Sequence, residues 1–516
     1  MTAWTERDGV LRAMPRGDGR TPRVSVTSDP EPILSERGWE TPDLLRRAAD
    51  ARAALVASEA GGEWWRDDAA DPFLAFLAGK RVRCDVPAFY AGWGLTDDAA
   101  SVPRRAFPRT VDEIFAAVCL LATRYTDPFR NAPASFEDLL PIVAEWRRVE
   151  RVNRTIGVCV GMSFWKRRRV ADFLRSSDGV PAFRKTTQAA IAASRGKAIA
   201  CWTSRMPPGL EAAAKAAGVP LIRVEDGFVR SVGLGSDFLP PASLVLDRRG
   251  MYFDPSIQSD LETILRETAF DSALLARART LADQLVQRGV TKYNLGVPAQ
   301  PIDWPPGRRR ILVPGQVEDD LSVVLGGGGI RDNLTLLAEA RAAAPDGFIV
   351  YKPHPDVLAG HRKGAVAEPD ALRFADRIVT DAATAALLGE IDELHTLTSL
   401  AGFETLLRGR RVVVYGRPWY AGWGLTDDRV VVNRCRQLEL EELVAGALIV
   451  YPRYLDPVTR LPCGPETIIE RLDHPEAWRA GLLVWARRMQ GAAARWCAGR
   501  FARSPALVGV GRKGRE

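Results

Sequence analysis

Short apolar, β-branched runs alternate with amphipathic helical patterns over residues 152–480. This alternation is typical of a parallel β-sheet whose strands are joined by crossover helices. In the first half of the region the pattern predicts strands at 155–160, 198–202, 221–224 and 244–247, followed by a long helix over 260–289. In the second half it predicts strands at 311–313, 348–352, 377–380, 393–396 and 411–415.

A proline-rich stretch, residues 296–307, separates the two series and is typical of an interdomain linker. We therefore expect an α/β protein with two Rossmann-like domains, 152–295 and 308–480, facing a cleft. Ligands of such sheets bind at the carboxyl ends of the strands. Motifs that follow predicted strands are the first candidates for function.

The nine residues YAGWGLTDD occur twice, at 90–98 and at 420–428. Matches on both sides extend the correspondence, so that residues 81–150 repeat residues 411–480. The spacing implies a module of about 330 residues. Because only residues 1–80 precede the first copy, we expect one complete module preceded by the remnant of another, with 1–80 a poorly defined N-terminal region.

The composition, 46% hydrophobic and 26% charged, is that of a globular protein. The net charge of +7 resides in the last thirty residues, which hold 8 basic residues and one acidic residue. A neutral body argues against a nucleic-acid-binding protein, which needs a basic face on its folded domain. Trp485, Trp496 and Phe501 lie among these arginines, so the basic tail 481–516 is predicted to contact a membrane surface or, alternatively, to be disordered.

Seven scattered cysteines without a CxxC pair suit a reducing compartment. The sequence has no run of about 18 apolar residues and no apolar core of a signal peptide near Met1. These features predict a soluble, cytoplasmic protein, and the basic tail adds the expectation that it is peripheral to a membrane.

The first candidate cluster is Glu225-Asp226-Gly227, with Arg230 close behind it, directly after a predicted strand. Two adjacent carboxylates at a strand exit suit general acid/base chemistry. A turn with solvated charges is the alternative.

The second cluster, Gly315-Gln316-Val317-Glu318-Asp319-Asp320, also follows a strand. Its acids could bind a divalent cation, supply a nucleophile or form a solvated loop. Metal binding is a weak prediction for three consecutive acids, because such sites draw ligands from several segments.

A third set of candidate residues is suited to binding an anion. Lys352, His354 and Pro355 follow a strand, and the prolines around the histidine restrict the position of its ring. Thr398 and Ser399 lie between a strand and a helix, where hydroxyl and free N–H groups bind anions or merely cap the helix. YAGWGLTDD could stack on a sugar or base, or pack one domain on another.

Six motifs together resemble the capsule polysaccharide β-Kdo transferases, the KpsC/LipA family. In order over 152–480 they are EDGFVRSVGLG, SLVLDRRGMYFDP, PGQVEDD, YKPHPDV, HTLTSLAGFE and YAGWGLT. The resemblance implies a GT-B glycosyltransferase that uses CMP-β-Kdo and extends a Kdo linker on (lyso)phosphatidylglycerol. It also implies that this activity takes place at the cytoplasmic face of the inner membrane, before capsule export and together with other capsule assembly proteins. Family members are similar to two tandem modules, whereas this chain has one whole module, which implies a single transferase activity.

The resemblance, together with a likeness to bacterial sialyltransferases, also implies roles for residues. His354, Thr398 and Ser399 would contact the CMP phosphate, and Lys352 would add positive charge. Asp320 is the first choice for a carboxylate nucleophile of a retaining reaction and Asp226 the second, with Glu225 or Asp226 as acid/base. Arg230 would lie near the carboxylate of the sugar donor. The remaining members of the expected CMP-sugar site are Gly315, Gln316, Pro355 and Glu404. No metal and no cofactor are expected.

Two other functions remain open from the sequence. One is a transferase for another CMP-activated sugar acid. The other is a non-catalytic scaffold of a capsule assembly complex, suggested by the reduced first module.

Overall fold

The computed structural model describes residues 25–26, 30–35, 37–60, 72–85, 88–99, 105, 107–229, 241–291, 302–360 and 362–474. Arg230, the tail 481–516 and the linker residues 296–301 lie outside these described residues. The chain divides into two compact units. The first comprises Met1–Gly157, Val170–Pro181 and Val458–Gly464, and the second comprises Val158–Arg169, Ala182–Pro457 and Pro465–Glu516.

The N-terminal part of the chain alternates short strands and helices. In order these are β1 (Ser25–Val26), α1 (Pro30–Ser35), α2 (Pro42–Ala60), α3 (Pro72–Leu77), β2 (Arg83–Cys84), β3 (Asp97–Asp98), α4 (Val111–Phe115), β4 (Thr123–Thr126), β5 (Pro133–Ala134) and α5 (Phe136–Arg154). A π-helical turn, Ala116–Leu121, follows α4 directly. This part has an apolar core of its own around Leu34, Phe76, Trp93 and Phe115.

A first α/β series follows: β6 (Ile156–Val160), α6 (Phe164–Leu174), β7 (Ala182–Arg184), α7 (Thr187–Ser194), β8 (Ala198–Trp202), α8 (Leu210–Ala216), β9 (Leu221–Asp226), β10 (Ser243–Asp247), α9 (Asp260–Glu267) and α10 (Ser272–Gln287). The strand order of this first sheet includes β7-β6-β8-β9-β10. The β6–β7 and β8–β9 pairs are parallel, and β10 is antiparallel to β9. Strand β8 is buried along its whole length, as expected for a sheet covered on both faces.

The second α/β series contains β11 (Arg310–Pro314), α11 (Leu321–Gly326), α12 (Asn333–Ala343), β12 (Phe348–Lys352), α13 (Pro355–Leu358), α14 (Glu368–Ala371), β13 (Arg377–Ile378), α15 (Thr384–Glu390), β14 (Glu393–Thr396), α16 (Leu400–Leu406), β15 (Arg411–Val414) and β16 (Asp427–Asp428). Its sheet has the order β13-β12-β11-β14-β15-β16, and all neighbouring strands are parallel. The loops after β11, β12 and β14 therefore emerge at one edge of this second sheet.

The chain then returns to the first sheet. It passes through α17 (Leu440–Val444), a second π-helical turn (Ala445–Val450), β17 (Pro452–Leu455), β18 (Pro462–Cys463) and α18 (Pro465–Leu472). Strand β17 is antiparallel to β10, with Ser243 opposite Tyr454. Of the helices in the described ranges, none is both long and apolar enough to cross a membrane.

The predicted α/β fold with two mainly parallel sheets is confirmed. One predicted element is wrong, because the helix expected over 260–289 is two helices, α9 and α10. Thr268 is extended (φ −75°, ψ 128°), and the side chain of Asp271 accepts a hydrogen bond from Leu274 N at 2.7 Å. This N-cap starts a new helix and interrupts the amphipathic pattern.

Both copies of YAGWGLTDD adopt the same structure. In the second copy, Asp428 accepts hydrogen bonds from Gly422 N (2.9 Å) and Thr426 Oγ1 (2.7 Å). In the first copy, Asp98 accepts the corresponding bonds from Gly92 N (2.8 Å) and Thr96 Oγ1 (2.7 Å). The short parallel pairs β2–β3 and β15–β16 have the same register.

The correspondence continues after the motif. In each copy a short helix leads directly into a π-helical turn. A tyrosine after the turn then donates a hydrogen bond back to a carbonyl of the turn, Tyr125 to Cys119 O and Tyr454 to Leu448 O, both at 2.8 Å. The sequence repeat is therefore also a structural repeat.

The structural repeat reaches further toward the N-terminus than the sequence motifs do. Helices α1 and α2 correspond in order and in packing partners to α9 and α10. The ion pair of Arg47 with Glu137 has its counterpart in Arg277 with Glu466. In the sequence, 11 residues (61–71) separate α2 from α3, whereas 112 residues (288–399) separate α10 from α16. The first copy is thus too short to hold counterparts of β11, β12 and β14.

Candidate active site

The amide of Gln316 joins loops that follow two neighbouring strands of the second sheet. Gln316 comes just after β11, and 5% of the residue is exposed. Its Oε1 accepts hydrogen bonds from Thr396 Oγ1 (2.9 Å), Leu397 N (3.0 Å) and Thr398 N (3.2 Å), and its Nε2 donates to Thr398 Oγ1 (3.0 Å). Because a displacement would leave these buried polar groups unpaired, Gln316 holds the loop after β14 in place.

Gly315 allows the loops after β11 and β12 to approach each other. Its N–H donates to Lys352 O at 2.8 Å. A Cβ at this position would lie 2.9 Å from the Tyr351 hydroxyl and 3.1 Å from His354 N. Glycine is therefore required for this close backbone approach.

His354 presents a defined tautomer. The residue is the N-cap of α13, and its Nδ1 accepts a hydrogen bond from Asp356 N at 3.1 Å. Since Nδ1 is the acceptor, the neutral ring carries its proton on Nε2. An Nε2–H group suits a phosphate oxygen. Pro355 occupies the first position of α13, where its ring is preorganised for a helix.

Lys352, the last residue of β12, is a buried cation with 8% exposure. Burial lowers the pKa of its ammonium group, and the charge of Asp381 opposes this change. A partly desolvated ammonium interacts more strongly with an incoming anion than a solvated one does.

Thr398 and Ser399 lie at the start of α16, as predicted. Ser399 is the N-cap, since its Oγ accepts from Ala401 N at 3.2 Å. Thr398 is also 3.4 Å from the hydroxyl of Ser322. The capping alternative is thus confirmed for Ser399, and the phosphate contact of both residues stays a prediction.

The three acids after Gln316 have different environments. Glu318 accepts from Asn333 N at 3.1 Å, and Asp319 pairs with Arg362 at 3.2 Å. Asp320 is the N-cap of α11, where Oδ1 accepts from Ser322 N (3.0 Å) and Ser322 Oγ (2.8 Å). Within the described residues, no group of three or more His, Cys, Asp or Glu could hold a metal ion.

Glu225 and Asp226 end strand β9 of the first sheet. Glu225 accepts from Ser204 N at 2.9 Å, and Asp226 pairs with Lys166 at 3.4 Å. Burial, followed by the charge of Asp226, raises the pKa of Glu225 to about 7. A carboxyl group that titrates near neutral pH suits a general acid or base.

The residues after this pair connect it to the second sheet. A Cβ at Gly227 would lie 2.8 Å from Cβ of Ser243, so glycine is needed here as well. Phe228 then stacks on Trp419, with ring centroids 4.6 Å apart, and Trp419 also contacts Phe403 of α16 at 4.8 Å. This aromatic contact ties the β9 exit to the helix that begins at Ser399.

The second YAGWGLTDD packs within the protein. Tyr420 is fully buried and donates to Ser399 O at 2.5 Å. A Cβ on Gly402 would lie 2.7 Å from Cζ of Tyr420. Glu404, on the same helix, is 7% exposed, and its charge partly offsets the lowering of the Arg408 pKa by burial. The second copy of the motif thus packs on α16 of the same sheet, and its packing of one domain on another stays a prediction.

Sequence reasoning missed Lys166, Trp202 and Asn333. Asn333 holds the loop after β11, since its Oδ1 accepts from Gln316 N and its Nδ2 donates to Gln316 O, both at 2.8 Å. Lys166 stands in the run Phe-Trp-Lys-Arg-Arg-Arg just after β6, and this aromatic and basic sequence at a strand exit was the available signal. No sequence signal marks Asn333.

Residues 197–303 and 297–454 match the family model described as capsule polysaccharide biosynthesis protein. The chain belongs to this family. It is 41% identical over 414 residues to the capsule polysaccharide modification protein LipA of Neisseria meningitidis serogroup A, covering 78% of this chain and 58% of LipA. It is 44% identical over 241 residues to the lipopolysaccharide-processing protein LpsZ of Rhizobium meliloti, which covers 46% of this chain and 54% of LpsZ.

A solved structure of this family superposes on the chain. It is the β-Kdo 2,4 transferase of Thermosulfurimonas dismutans KpsC, with 29% identity and a TM-score of 0.54. The match covers 61% of this chain and 97% of that structure. The chain spans 58% of the length of LipA, and the superposition covers almost the whole of the KpsC structure.

Proposed function

We propose that this chain is a retaining β-Kdo transferase of the GT-B type, with two Rossmann-like domains facing a cleft. It transfers Kdo from CMP-β-Kdo to a Kdo residue on (lyso)phosphatidylglycerol during capsule polysaccharide biosynthesis. The observation that carries the proposal is the match over 97% of the KpsC β-Kdo 2,4 transferase structure. The candidate groups for sugar transfer lie at strand exits of the two sheets, which supports the proposal.

The CMP phosphate binds at the exits of β11, β12 and β14. His354 donates through Nε2–H, and the partly desolvated ammonium of Lys352 supplies positive charge. Thr398 and Ser399 complete the phosphate contacts, while Gly315 and Gln316 set the spacing of the loops. Pro355 and Glu404 belong to the same CMP-sugar site, and Arg230 is assigned to the sugar carboxylate.

Two carboxylates compete for the nucleophile role. Asp320, the first choice from the sequence, receives two hydrogen bonds on one oxygen as the cap of α11. Asp226 has the ammonium of Lys166 at 3.4 Å, which favours the ionised form that a nucleophile needs. These contacts support Asp226 over Asp320, and trapping of the intermediate decides between them.

The reaction then proceeds in two displacements. The carboxylate attacks the anomeric carbon of Kdo, the bond to the phosphate oxygen breaks, and CMP leaves with the bonding electrons. The acceptor hydroxyl next attacks the same carbon, loses its proton to Glu225 and releases the carboxylate. Two inversions at one carbon retain the β configuration.

Trapping tests the assignment of the nucleophile. Incubation with CMP-β-Kdo and no acceptor is expected to add the mass of one Kdo to the protein, with the adduct mapped to the peptide of Asp226. The variant D226A loses the adduct, and D320A retains it. D319A is the matched control, because Asp319 is the exposed acid next to Asp320 and pairs with Arg362. An adduct on the peptide of Asp320 would contradict the assignment.

The membrane contact is proposed for the basic tail. Residues 481–516 combine the excess positive charge of the chain with three aromatic side chains, a composition that favours anionic lipid surfaces. Deletion of the residues after Leu482 is expected to weaken binding to phosphatidylglycerol vesicles at low salt and to spare turnover on a soluble acceptor. Unchanged vesicle binding would remove this part of the proposal.

A non-catalytic scaffold is the second candidate function. The observation in its favour is the first copy, whose 61–71 segment replaces the length of chain that carries the proposed phosphate site in the second copy. Binding of capsule assembly proteins without any binding of CMP-Kdo would favour the scaffold over the enzyme. A product carrying a different CMP-activated sugar acid would instead correct the identity of the substrate.

A further inference from the structure

Lys166 is a largely buried cation at the exit of the first sheet. It lies on α6, and 11% of its side chain is exposed. Its Nζ is 3.4 Å from Oδ2 of Asp226 and 3.3 Å from the centroid of the Trp202 ring. The ammonium therefore has a carboxylate and an aromatic face as neighbours, and each favours its charged form.

Three strand exits contribute to this arrangement. The loop after β6 leads into the helix of Lys166, β8 ends at Trp202, and β9 ends at Asp226. Such a desolvated ion pair contributes little to stability compared with apolar packing of the same volume. Its position at the strand ends, where ligands of α/β sheets bind, points to a role in the site.

We propose that Lys166 is a positioning residue of the transfer reaction, holding Asp226 ionised and oriented so that Glu225 is the group that exchanges the proton. This inference rests on the proposed function. Trp202 fixes the direction of the ammonium, because its ring limits the rotamers that Lys166 can adopt.

The charges around Glu225 give the inference a measurable consequence. Burial and the Asp226 charge raise the pKa of Glu225, whereas the Ser204 N–H and the charge of Lys166 lower it. The thiol of Cys201 on β8 is also close enough to interact with Glu225. Removal of the ammonium takes away an opposing charge, so the pKa of Glu225 should rise further.

An infrared difference titration tests this without any substrate. The carboxyl band that is missing in E225Q reports Glu225 in the full chain. In K166M its midpoint is expected to move upward by roughly one pH unit, while K166R stays near the wild type. R168M is the matched control, since Arg168 is an exposed cation on the same helix. Equal midpoints in the wild type and K166M would overturn the inference.

The pH profile of Kdo transfer provides the second readout. Because ionised Glu225 acts as a base on the acceptor in the second displacement, kcat/KM for the acceptor rises through the pKa of Glu225. This acidic limb should lie at higher pH in K166M than in K166R. A uniform loss of kcat without movement of the limb would mean a structural role and overturn the inference.

If K166M does not fold, K166Q replaces it in both measurements. An infrared shift in a chain that transfers no Kdo would refute the proposed function and leave the Lys166–Glu225 coupling in place.

Discussion

At the residue scale, the proposed site depends on a few buried polar side chains that each have several partners. Gln316 is the clearest case, because its amide oxygen accepts hydrogen bonds from three donors at the end of β14 and in the loop after it. The sequence identified Gln316 as a site residue but could not predict this role, since the loop lies about 80 positions away in the chain. Its neighbour Asn333 was missed for the same physical reason.

Replacement of Gln316 should therefore affect both folding and ligand binding. Q316A removes the acceptor of two backbone N–H groups and one hydroxyl, and should lower the free energy of unfolding by about 3 kcal/mol. Chemical denaturation measures this change, and calorimetry should show weaker binding of CMP. Q188A is the control, because Gln188 is exposed on α7. Equal losses in the two variants would contradict the role of Gln316.

Glu225 should make stability depend on pH. Its pKa of about 7 in the folded state is above the ordinary value of 4.5. The folded chain thus holds this proton more tightly than the unfolded chain, and the stabilisation is lost as the pH rises through 7. The melting temperature of E225Q minus that of the wild type is expected to increase as the pH rises from 5 to 9. A constant difference between the two would be inconsistent with the raised pKa.

At the element scale, the sequence predicted the buried strands well and the exceptions have local causes. Strands β8, β12 and β14 match the predicted bounds. Two of them, β8 and β12, are short, mainly apolar runs, a pattern with few alternatives. The three-residue β7 and the mixed strand β17, Pro452–Leu455, were missed, since neither forms an apolar run. The split at Asp271 was hidden by helical periodicity that continues from α9 into α10.

Packing of α16 against the second YAGWGLTDD gives a prediction for that element. G402A places a methyl group against the Tyr420 ring and should destabilise the protein by about 2 kcal/mol. G389A is the matched control, because Gly389 lies on α15 with nothing within 4 Å of its Cβ position, and alanine favours a helix. Thermal unfolding compares the two, and a neutral G402A would contradict this packing.

At the scale of the whole molecule, the structural repeat covers more of the chain than the repeated sequence motif does. The shared π-helical turns and ion pairs show that α1 and α2 also belong to the first copy, a relation hidden because few residues of 25–60 match 243–287. The domain boundaries drawn from the sequence stay predictions. The segment 61–71 replaces the part of the module to which we assign the CMP phosphate.

The full chain should consequently bind one CMP. Isothermal titration calorimetry is expected to give a stoichiometry of one, and H354A should weaken binding at least tenfold because a phosphate contact is lost. A second site that survives H354A would mean that the first copy also binds nucleotide.

The most direct test of the account is transfer itself. The purified full chain, CMP-β-Kdo and a synthetic Kdo-phosphatidylglycerol acceptor are incubated, and the product is analysed by mass spectrometry and by NMR of the new linkage. The account predicts one added Kdo in the β configuration, and no product with D226A or E225Q. No transfer by the wild type, or a product of α configuration, would contradict it.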